Sequence, residues 1–508
     1  MNSRHLILSL LLGVLLSGCM VGPDYKQPTA ETPAAFKDTG PWKKAEPKDD
    51  AIRGKWWVIY HDAELNTLED QVNISNQNVL QAEAQFREAA AAVKVAESGL
   101  FPTITANPAF TESQASENLT SGGSHSGGGS GGGGGFGGGH RGSTSQSLYN
   151  LPVEATYMID VWGEVRRNIE ASATTAQASF ADLENARLSY QATLAQDYFS
   201  LHGLDAEQQL LEETVTSYKK YLDLTTNRYN SGIASKGDVA LAQTQLDTAR
   251  AQLIDVGVMR AQYEHAIATL TGRPAPLFTV HKKVLAGVPP EMPVGVPSTL
   301  LERRPDIAGA ERRVASANAS IGVAVAAYYP SITLSGQAGL EAIEFSQLFS
   351  GPSFFWSVGP AVAQTIFDAG KTHGQVQEAQ ANYDATVATY RQTVLTAFQQ
   401  VEDDLSGLRI LQEEAAAQDD AVKDAQKSLE IATNQYQAGT QDYLTVITAQ
   451  TTAFNDEVNA VSIRTRRMTT SVLLVEALGG GWDVSQLATR SDVADVPPAQ
   501  AKISQAKK

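Results

Sequence analysis

Cysteine is almost missing from this sequence: 508 residues contain one, Cys19. No disulfide can form within the chain, so packing alone must hold the fold. Aromatic side chains make up only 7% while Ala, Gln, Thr and Ser abound, a composition that suits close-packed helices better than a thick globular core. Positive charge is short as well: 39 Lys and Arg against 56 Asp and Glu leave a formal net charge of -17. With no basic stripe to neutralise phosphates, nucleic acid is excluded as a partner. Beyond the N-terminus no stretch reaches the roughly 18 uninterrupted apolar residues of a membrane helix. Any crossing of a bilayer must then be made by strands. The patterns of catalysis are lacking too. There is no nucleophile motif and no metal-ligand spacing, and the Gly tract has neither the strand-to-helix context nor the following Lys of a phosphate loop. No catalytic residue, metal site or cofactor is expected.

What is present begins with a sorting device. Arg4 and His5 precede the apolar run Leu6 to Leu16, too short to span a bilayer and right for a signal peptide over residues 1–18. The run ends in Leu16, Ser17, Gly18 and Cys19, which resembles a lipobox. The expectation is cleavage before Cys19, followed by attachment of diacylglycerol and a fatty acyl chain such as palmitate. Met20 rather than Asp follows, which in lipoproteins of this kind implies retention in the outer membrane, with the body reaching into the periplasm.

The rest of the chain is a duplication. Adding 207 to residues 163–272 gives 370–479 without a gap, so Asn227 meets Asn434 and Gln243 meets Gln450. Each copy reads as a long helix (Glu164 to Asn230, Lys371 to Gln437), a tight turn, and a returning helix about half as long (Asp238 to Thr271, Thr445 to Leu478). Shorter entering helices precede them, Asp62 to Leu100 and Ser298 to Tyr328. One entering and one returning helix stacked end to end match the length of one long helix. The long helices carry heptad spacing, with Tyr383, Val387, Tyr390, Val394, Ala397, Val401, Leu408 and Leu411 on one seam, which predicts left-handed packing. Asp197 and Asp404 interrupt that seam at the same place in both copies. They either fix its register or sit at a solvated position.

Between the entering and long helices lie strands. Phe101 to Ala106 is one. Ser145 to Ile159 is a second, with Tyr149, Leu151, Val153, Ala155 and Tyr157 on one face and Asn150, Glu154 and Thr156 on the other, the dyad of a membrane-barrel strand. The segment 121–142 between them is mostly Gly and Ser and reads as a flexible external loop, in which His125 and His140 are loop residues rather than ligands. The second copy repeats the pair without that insertion: Tyr329 to Leu334 mirrors Phe101 to Ala106 at an offset of 228. Four strands per chain cannot close a barrel, which takes about eight or more. A homotrimer would supply twelve strands and twelve helical columns.

The division expected is therefore 1–18 signal peptide, 19–61 extended arm, 62–272 first repeat, 273–297 linker, 298–479 second repeat and 480–508 polar tail. Trp56 and Trp57 in the arm read as packing anchors.

On these residues the chain resembles the TolC-type outer-membrane efflux family, in its lipoprotein branch. The most specific stretch runs from Leu300 to Ile307 (LLERRPDI) and continues through Glu311 to Val314, Asn318, Gly322 and Pro330. Val21 to Tyr25 (VGPDY), Trp56 with Trp57, Asp160 to Gly163 and Phe367 to Gly370 follow the branch pattern too. The resemblance implies a mainly α fold with a small membrane β part: a trimeric helical barrel joined to a twelve-stranded transmembrane β-barrel. It implies a passive exit duct for small molecules, docked to a periplasmic adaptor and an inner-membrane RND-type transporter. Metal efflux, type I protein secretion and a non-conducting periplasmic scaffold remain alternatives. It also makes the two turns the periplasmic tip and gate, carried by Tyr229, Gly232 and Asp238 and by Tyr436 and Gly439. Family members place aspartates and an arginine after the second turn; here Gln441, Thr445 and Thr448 stand there. Asp238 is left as the acidic candidate, and its simpler role is to cap the following helix.

Overall fold

The computed structural model describes residues 20–37, 43–44, 54–114, 145–285, 287–290, 293–294 and 300–494. The signal peptide, Cys19, the loop 121–142 with His125 and His140, and the tail beyond Ala494 lie outside them. In chain order the elements are α1 (Ala63–Ser75), α2 (Gln77–Ser98), β1 (Thr103–Ala106), β2 (Ala109–Gln114), β3 (Ser145–Met158), α3 (Glu164–Asn230) and α4 (Lys236–Leu270). There follow α5 (Leu300–Arg303), α6 (Pro305–Ala326), β4 (Ser331–Ala342), β5 (Phe354–Ala363), α7 (Lys371–Gln437), α8 (Tyr443–Ala477) and α9 (Arg490–Ala494). The chain divides into two compact units, one of residues 1–24, 94–171 and 318–381, the other of 25–93, 172–317 and 382–508. Among the described residues no helix is long and apolar enough to cross a membrane.

The duplication survives folding residue by residue. The ends of α3 and α7, and of α4 and α8, differ by 207 at every terminus. Neither long helix contains a proline, and each is started by an aspartate: Asp160 accepts from the N–H groups of Val165 and Arg166 at 3.1 Å, Asp368 from those of Gly370 and Thr372 at 2.9 Å. Gly163, Gly232 and Gly272 and their mates Gly370, Gly439 and Gly479 all have φ between 69° and 95°. A left-handed residue ends or precedes a helix cheaply only when it lacks a Cβ. The seam is buried where the heptads place it, at Ala176, Leu183, Leu194 and Leu201 in α3 and at Tyr390, Val394, Ala397, Val401, Leu408 and Leu411 in α7.

The entering helices need correction, because each is broken. Asn76, with extended backbone, separates α1 from α2, and Arg304 separates α5 from α6. These two positions are 228 apart, the offset of the strands. Each break docks the C-terminus of the returning helix. Asn76 donates to the Leu270 carbonyl at 2.8 Å while its Oδ1 caps α2 through Asn78 and Val79. Arg304, buried, donates to the Ala477 carbonyl at 2.9 Å and forks onto Asp306 at 2.7 and 3.0 Å. The orphan carbonyls of α4 and α8 are thus met by the residues that start α2 and α6, and entering and returning helices abut end to end. The contact is close. A Cβ on Gly272 would overlap the Ser75 carbonyl, and one on Gly479 the Arg303 carbonyl.

The segments outside the repeats are more ordered than their composition predicts. In the linker, Val280 and Leu285 are buried, Arg260 donates to the Val280 carbonyl, and Asp205 accepts from the Lys283 N–H at 3.1 Å. Pro293–Val294 forms a two-residue parallel pairing with Lys43–Lys44. The first part of the tail is docked as well, since Trp482 and Val493 are buried; apolar residues spaced among polar ones suffice to seat it. Trp56 and Trp57 anchor the main core, and the Trp56 ring donates to Gln191 at 3.2 Å. The arm is strapped down too. Buried Arg167 donates to the carbonyls of Val21 and Gly22 and to Asp24, and Asn318 donates to the Pro23 carbonyl.

The strands form one antiparallel sheet in which β1 and β2 both pair with β3, β3 with β4, and β4 with β5. β1 and β2 are one strand position, because the register is unbroken between them: Ala106 faces Val153 and Ala109 faces Asn150. The interruption falls at Asn107 and Pro108. There the Asn107 N–H reaches the Pro152 carbonyl at 3.3 Å, but Pro152 has no N–H to return. Apolar partners stay on one face (Leu151 with Leu340, Tyr157 with Leu334, Ile332 with Val362) and polar ones on the other (Glu154 with Gln337, Gln337 with Ser357).

Candidate functional site

The two tight turns form the best-built site. α3 closes by the N–H groups of Ile233 and Ala234 returning to the Arg228 carbonyl at 2.8 and 3.2 Å; α7 closes by Thr440 returning to Gln435 at 3.0 Å. Arg228 and Gln435 are themselves 207 apart. No neighbour lies within 4 Å of a Cβ placed on Gly232, so backbone conformation alone calls for glycine there. Next comes a cap. Ser235 starts α4 in a capping box with Asp238: the Asp238 N–H donates to the Ser235 hydroxyl at 3.1 Å and the Ser235 N–H to the Asp238 carboxylate at 2.8 Å. At the same two positions of the second turn the chemistry is exchanged. Asp442 is the cap of α8 and Thr445 stands at the third position, donating its N–H at 3.0 Å and its hydroxyl at 2.7 Å to Asp442. Those bonds hold Asp442 below the usual carboxylate range. The Thr448 hydroxyl only returns to the Leu444 carbonyl, one turn back.

Sequence reasoning therefore missed an acid. Adding 207 to Ser235 lands on Asp442, and that step alone would have found it. It also missed a cation. Arg228, in the last turn of α3, reaches across to the second hairpin, donating to the carbonyls of Tyr436 and Gln437 at 3.0 and 3.2 Å. Its guanidinium carbon lies 4.6 Å from the centre of the Tyr436 ring. Arg228 thereby satisfies the last carbonyls of α7, which no intrahelical donor can reach. The two tyrosines differ: Tyr229 is exposed, Tyr436 is buried and packs against Tyr443 at 5.3 Å between ring centres. Gly439 lies beside the Arg228 guanidinium, which a Cβ placed on it would meet at 3.9 Å. Tyr436, Gly439 and Arg228 are thus brought together. Asp238, Thr445 and Thr448 are bound within their own helices.

With its cap geometry visible, Asp238 has a local task. Asp238→Ala should remove about 0.5–1 kcal/mol from the start of α4, read as a lower thermal midpoint and faster amide exchange over Lys236 to Leu241.

Asp197 and Asp404 are half-buried on the seam, and among the described residues no hydrogen bond joins them. Burial pushes the Asp197 carboxyl up to about 6. Burial, then the charges of Asp403 and Glu476, push Asp404 up to about 7, against the opposing pull of Arg304. Asp404 lines a cavity of 390 Å³ with Arg304, Asp306, Asp403 and Glu476. A carboxyl that binds its proton more tightly in the folded than in the unfolded chain opposes folding once it must ionise. The penalty is absent below the unfolded value near 4, grows between there and about 7, and is constant above. Asp404→Asn should therefore stabilise by about 1–2 kcal/mol above pH 7, after allowance for solvent screening. The gain should vanish as the pH falls towards 4, in thermal melts at matched ionic strength.

A four-position sheet with one apolar face and a duplicated pair of helical hairpins in one chain define an outer-membrane channel fold. The profile of the family described as "Outer membrane efflux protein" matches residues 68–273 and 296–480, and the chain belongs to that family. It is 29% identical over 482 residues to the probable efflux pump outer membrane protein TtgC of Pseudomonas putida, covering 94% of this chain and 96% of that protein. It is 28% identical over 481 residues to the outer membrane protein OprJ of Pseudomonas aeruginosa, covering 94% and 95%. Among solved structures, the outer-membrane channel OprN aligns with TM-score 0.81 at 27% identity over 91% of this chain and 100% of that one. The Campylobacter jejuni CmeC channel aligns with TM-score 0.83 at 22% identity, over 95% and 100%. This chain is an outer-membrane efflux channel protein, with an α-barrel part and a β part.

Proposed function

We propose that the chain works as a homotrimer, a passive exit duct that receives small toxic molecules from an inner-membrane RND-type transporter through a periplasmic adaptor. The observation that carries this reading is the sheet: four strand positions, an apolar face and, among the described residues, two unpaired edges, an arrangement viable in lipid only when copies share a barrel. Cys19, immediately before Met20 in the sequence, carries the acyl anchor. The paired turns are the periplasmic tip. There Arg228 holds the second hairpin against the first, at a turn where Thr445 and Thr448 offer no charge. No catalytic residue, cofactor or metal is assigned. Opening is a shift between two packings of the tip, driven by adaptor contacts that favour one of them.

Small organic solutes are favoured as cargo over metals and secreted proteins because relatives of this length carry such names: a toluene efflux pump outer membrane protein and an antibiotic efflux pump outer membrane protein, each 29% identical over 482 residues. The test is complementation. Expressed with an adaptor and RND transporter in a strain lacking its own outer-membrane efflux channels, the protein should restore tolerance to toluene or antibiotics. Restoration of metal tolerance or of protein secretion alone would transfer it to the other cargo classes.

A further inference from the structure

Where the tail leaves α8 there is a second cavity, of about 390 Å³, within the range of small-molecule sites. It lies wholly in the second compact unit, between the arm at 54–57, Asn73 near the end of α1, the stretch 184–191 of α3, and the tail at 479–486. The sequence builds it with glycine. After α8 ends at Ala477, Gly479, Gly480 and Gly481 follow with φ of 95°, 56° and 89°, a run of left-handed residues that side chains oppose. They lay the tail so closely on α3 that a Cβ on Gly480 would overlap the Leu188 side chain. Trp482 is thereby buried on one part of the lining, and Trp57, a member of the main core, on another.

Around this cavity the acceptors are engaged and the donors are not. Glu184 accepts from Arg187 Nη1 at 2.6 Å. Asn73 Oδ1 accepts from Gln191 at 2.9 Å, and Gln191 Oε1 from the Trp56 ring at 3.2 Å. Lys55 is held by Asp70 at 2.7 Å. Against these stand three buried N–H groups that meet no acceptor among the described residues: Nε1 of Trp57, Nε1 of Trp482 and Nε of Arg187. The two tryptophans are only 2 and 7% exposed. A buried donor without a partner bears the full desolvation cost of its N–H, and folded proteins keep few of them. Three such donors on residues that line one cavity call for one common partner.

That partner has to accept. Water would meet the donors only by placing its own two O–H groups on acceptors, and those of Glu184, Asn73 and Gln191 are already engaged. A carboxylate or phosphate group donates nothing and accepts from several sides. Charge agrees, because Lys55 and Arg187 outweigh Glu184 on the lining of a chain whose formal net charge is -17. A locally positive hollow in an acidic protein draws anions. We propose that this cavity binds a small oxyanion, a carboxylate or phosphate group, which takes up the N–H groups of Trp57, Trp482 and Arg187 and so ties arm and tail to α3. The site is independent of conduction, since none of these residues belongs to the sheet or to the tight turns.

The test uses the full-length protein in detergent, isotope-labelled at its tryptophan indole nitrogens and read by NMR. Held in Tris chloride, it is titrated with sodium phosphate and, separately, with sodium acetate, chloride keeping the ionic strength constant. Of the six indole N–H signals, two should shift saturably, and these should be the two that vanish in Trp57→Phe and Trp482→Phe. The thermal midpoint should rise along the same curve by linkage. Half-saturation should move up about tenfold in either phenylalanine variant and in Arg187→Lys, which keeps the charge but loses the Nε donor. Each protein is compared with itself, with and without anion, so the packing lost with an indole cancels. A response to phosphate alone identifies the ligand as a phosphate group, and a response to acetate identifies it as a carboxylate; either supports the site. If neither anion moves an indole signal, the cavity holds solvent and the proposal is overturned. It is overturned equally if the signals that move belong to other tryptophans, or if the variants bind as the wild type does. Should one phenylalanine variant fail to fold, the other and Arg187→Lys still decide.

Discussion

Arg228→Ala should loosen the tip more than any other single change to a turn. The substitution deletes two charge-assisted bonds to the carbonyls of Tyr436 and Gln437 and a cation over the Tyr436 ring. Bonds of that kind are worth about 1.5–3 kcal/mol, with a further ~0.5–1 kcal/mol for the ring contact at a half-exposed site. Lost entirely on opening, that is a shift of roughly thirtyfold to several hundredfold in favour of the open tip. The measurement is single-channel conductance and open time of the purified protein, paired with antibiotic entry into cells that carry it. Arg228→Lys should fall between, because an ammonium offers no planar fork and stacks poorly. The thermal midpoint should fall as well, since the contact belongs to the closed fold; an unchanged conductance with a lowered midpoint would make Arg228 a C-cap and nothing more.

Gly479→Ala should damage assembly of the fold itself. Gly479 has φ 95°, a region that costs a side chain about 1–3 kcal/mol, and its Cβ would overlap the backbone carbonyl of Arg303. A backbone atom cannot swing aside, so the junction of α8 with α6 must open. That exposes the Ala477 carbonyl held by Arg304. A loss of about 3 kcal/mol or more is expected, seen as little or no folded protein reaching the outer membrane at 37 °C. Gly232→Ala is the contrast. Its φ of 76° carries the same backbone strain, but no atom lies within 4 Å of the added methyl. It should cost only about 1–2 kcal/mol and leave yields near normal.

Most of the architecture was legible because periodicity and duplication are properties of sequence. The long helices have the bounds read from the repeat, whereas the returning helices start two residues before Asp238 and Thr445, at Lys236 and Tyr443, because Ser235 and Asp442 cap them there; alternation from Tyr149 to Tyr157 marked the strand of the sheet. What escaped was local chemistry that overrides a helical pattern. Nothing in the run from Asp62 to Leu100 forces a break at Asn76; it forms because the returning helix presents the Leu270 carbonyl there, and an asparagine can meet that carbonyl and cap α2 together. Arg304 breaks its helix for the same reason, with Pro305 as the only visible sign. At the turns, comparison with a family pattern drew the eye to Thr445 and Thr448 and away from Asp442, although the internal repeat pointed to it. Arg228 was hidden differently. Its partners are backbone carbonyls of a hairpin some two hundred residues away, and no spacing rule encodes such a contact.

Whether three copies enclose a conducting pore, as proposed, is tested most directly by current through the purified assembly. The purified protein, reconstituted in a planar bilayer, should show discrete single-channel steps that grow in conductance or open time with Arg228→Ala. A correctly folded, membrane-inserted assembly that passes no current, with the wild-type tip and with Arg228→Ala alike, would contradict the account and return the protein to the role of a non-conducting scaffold.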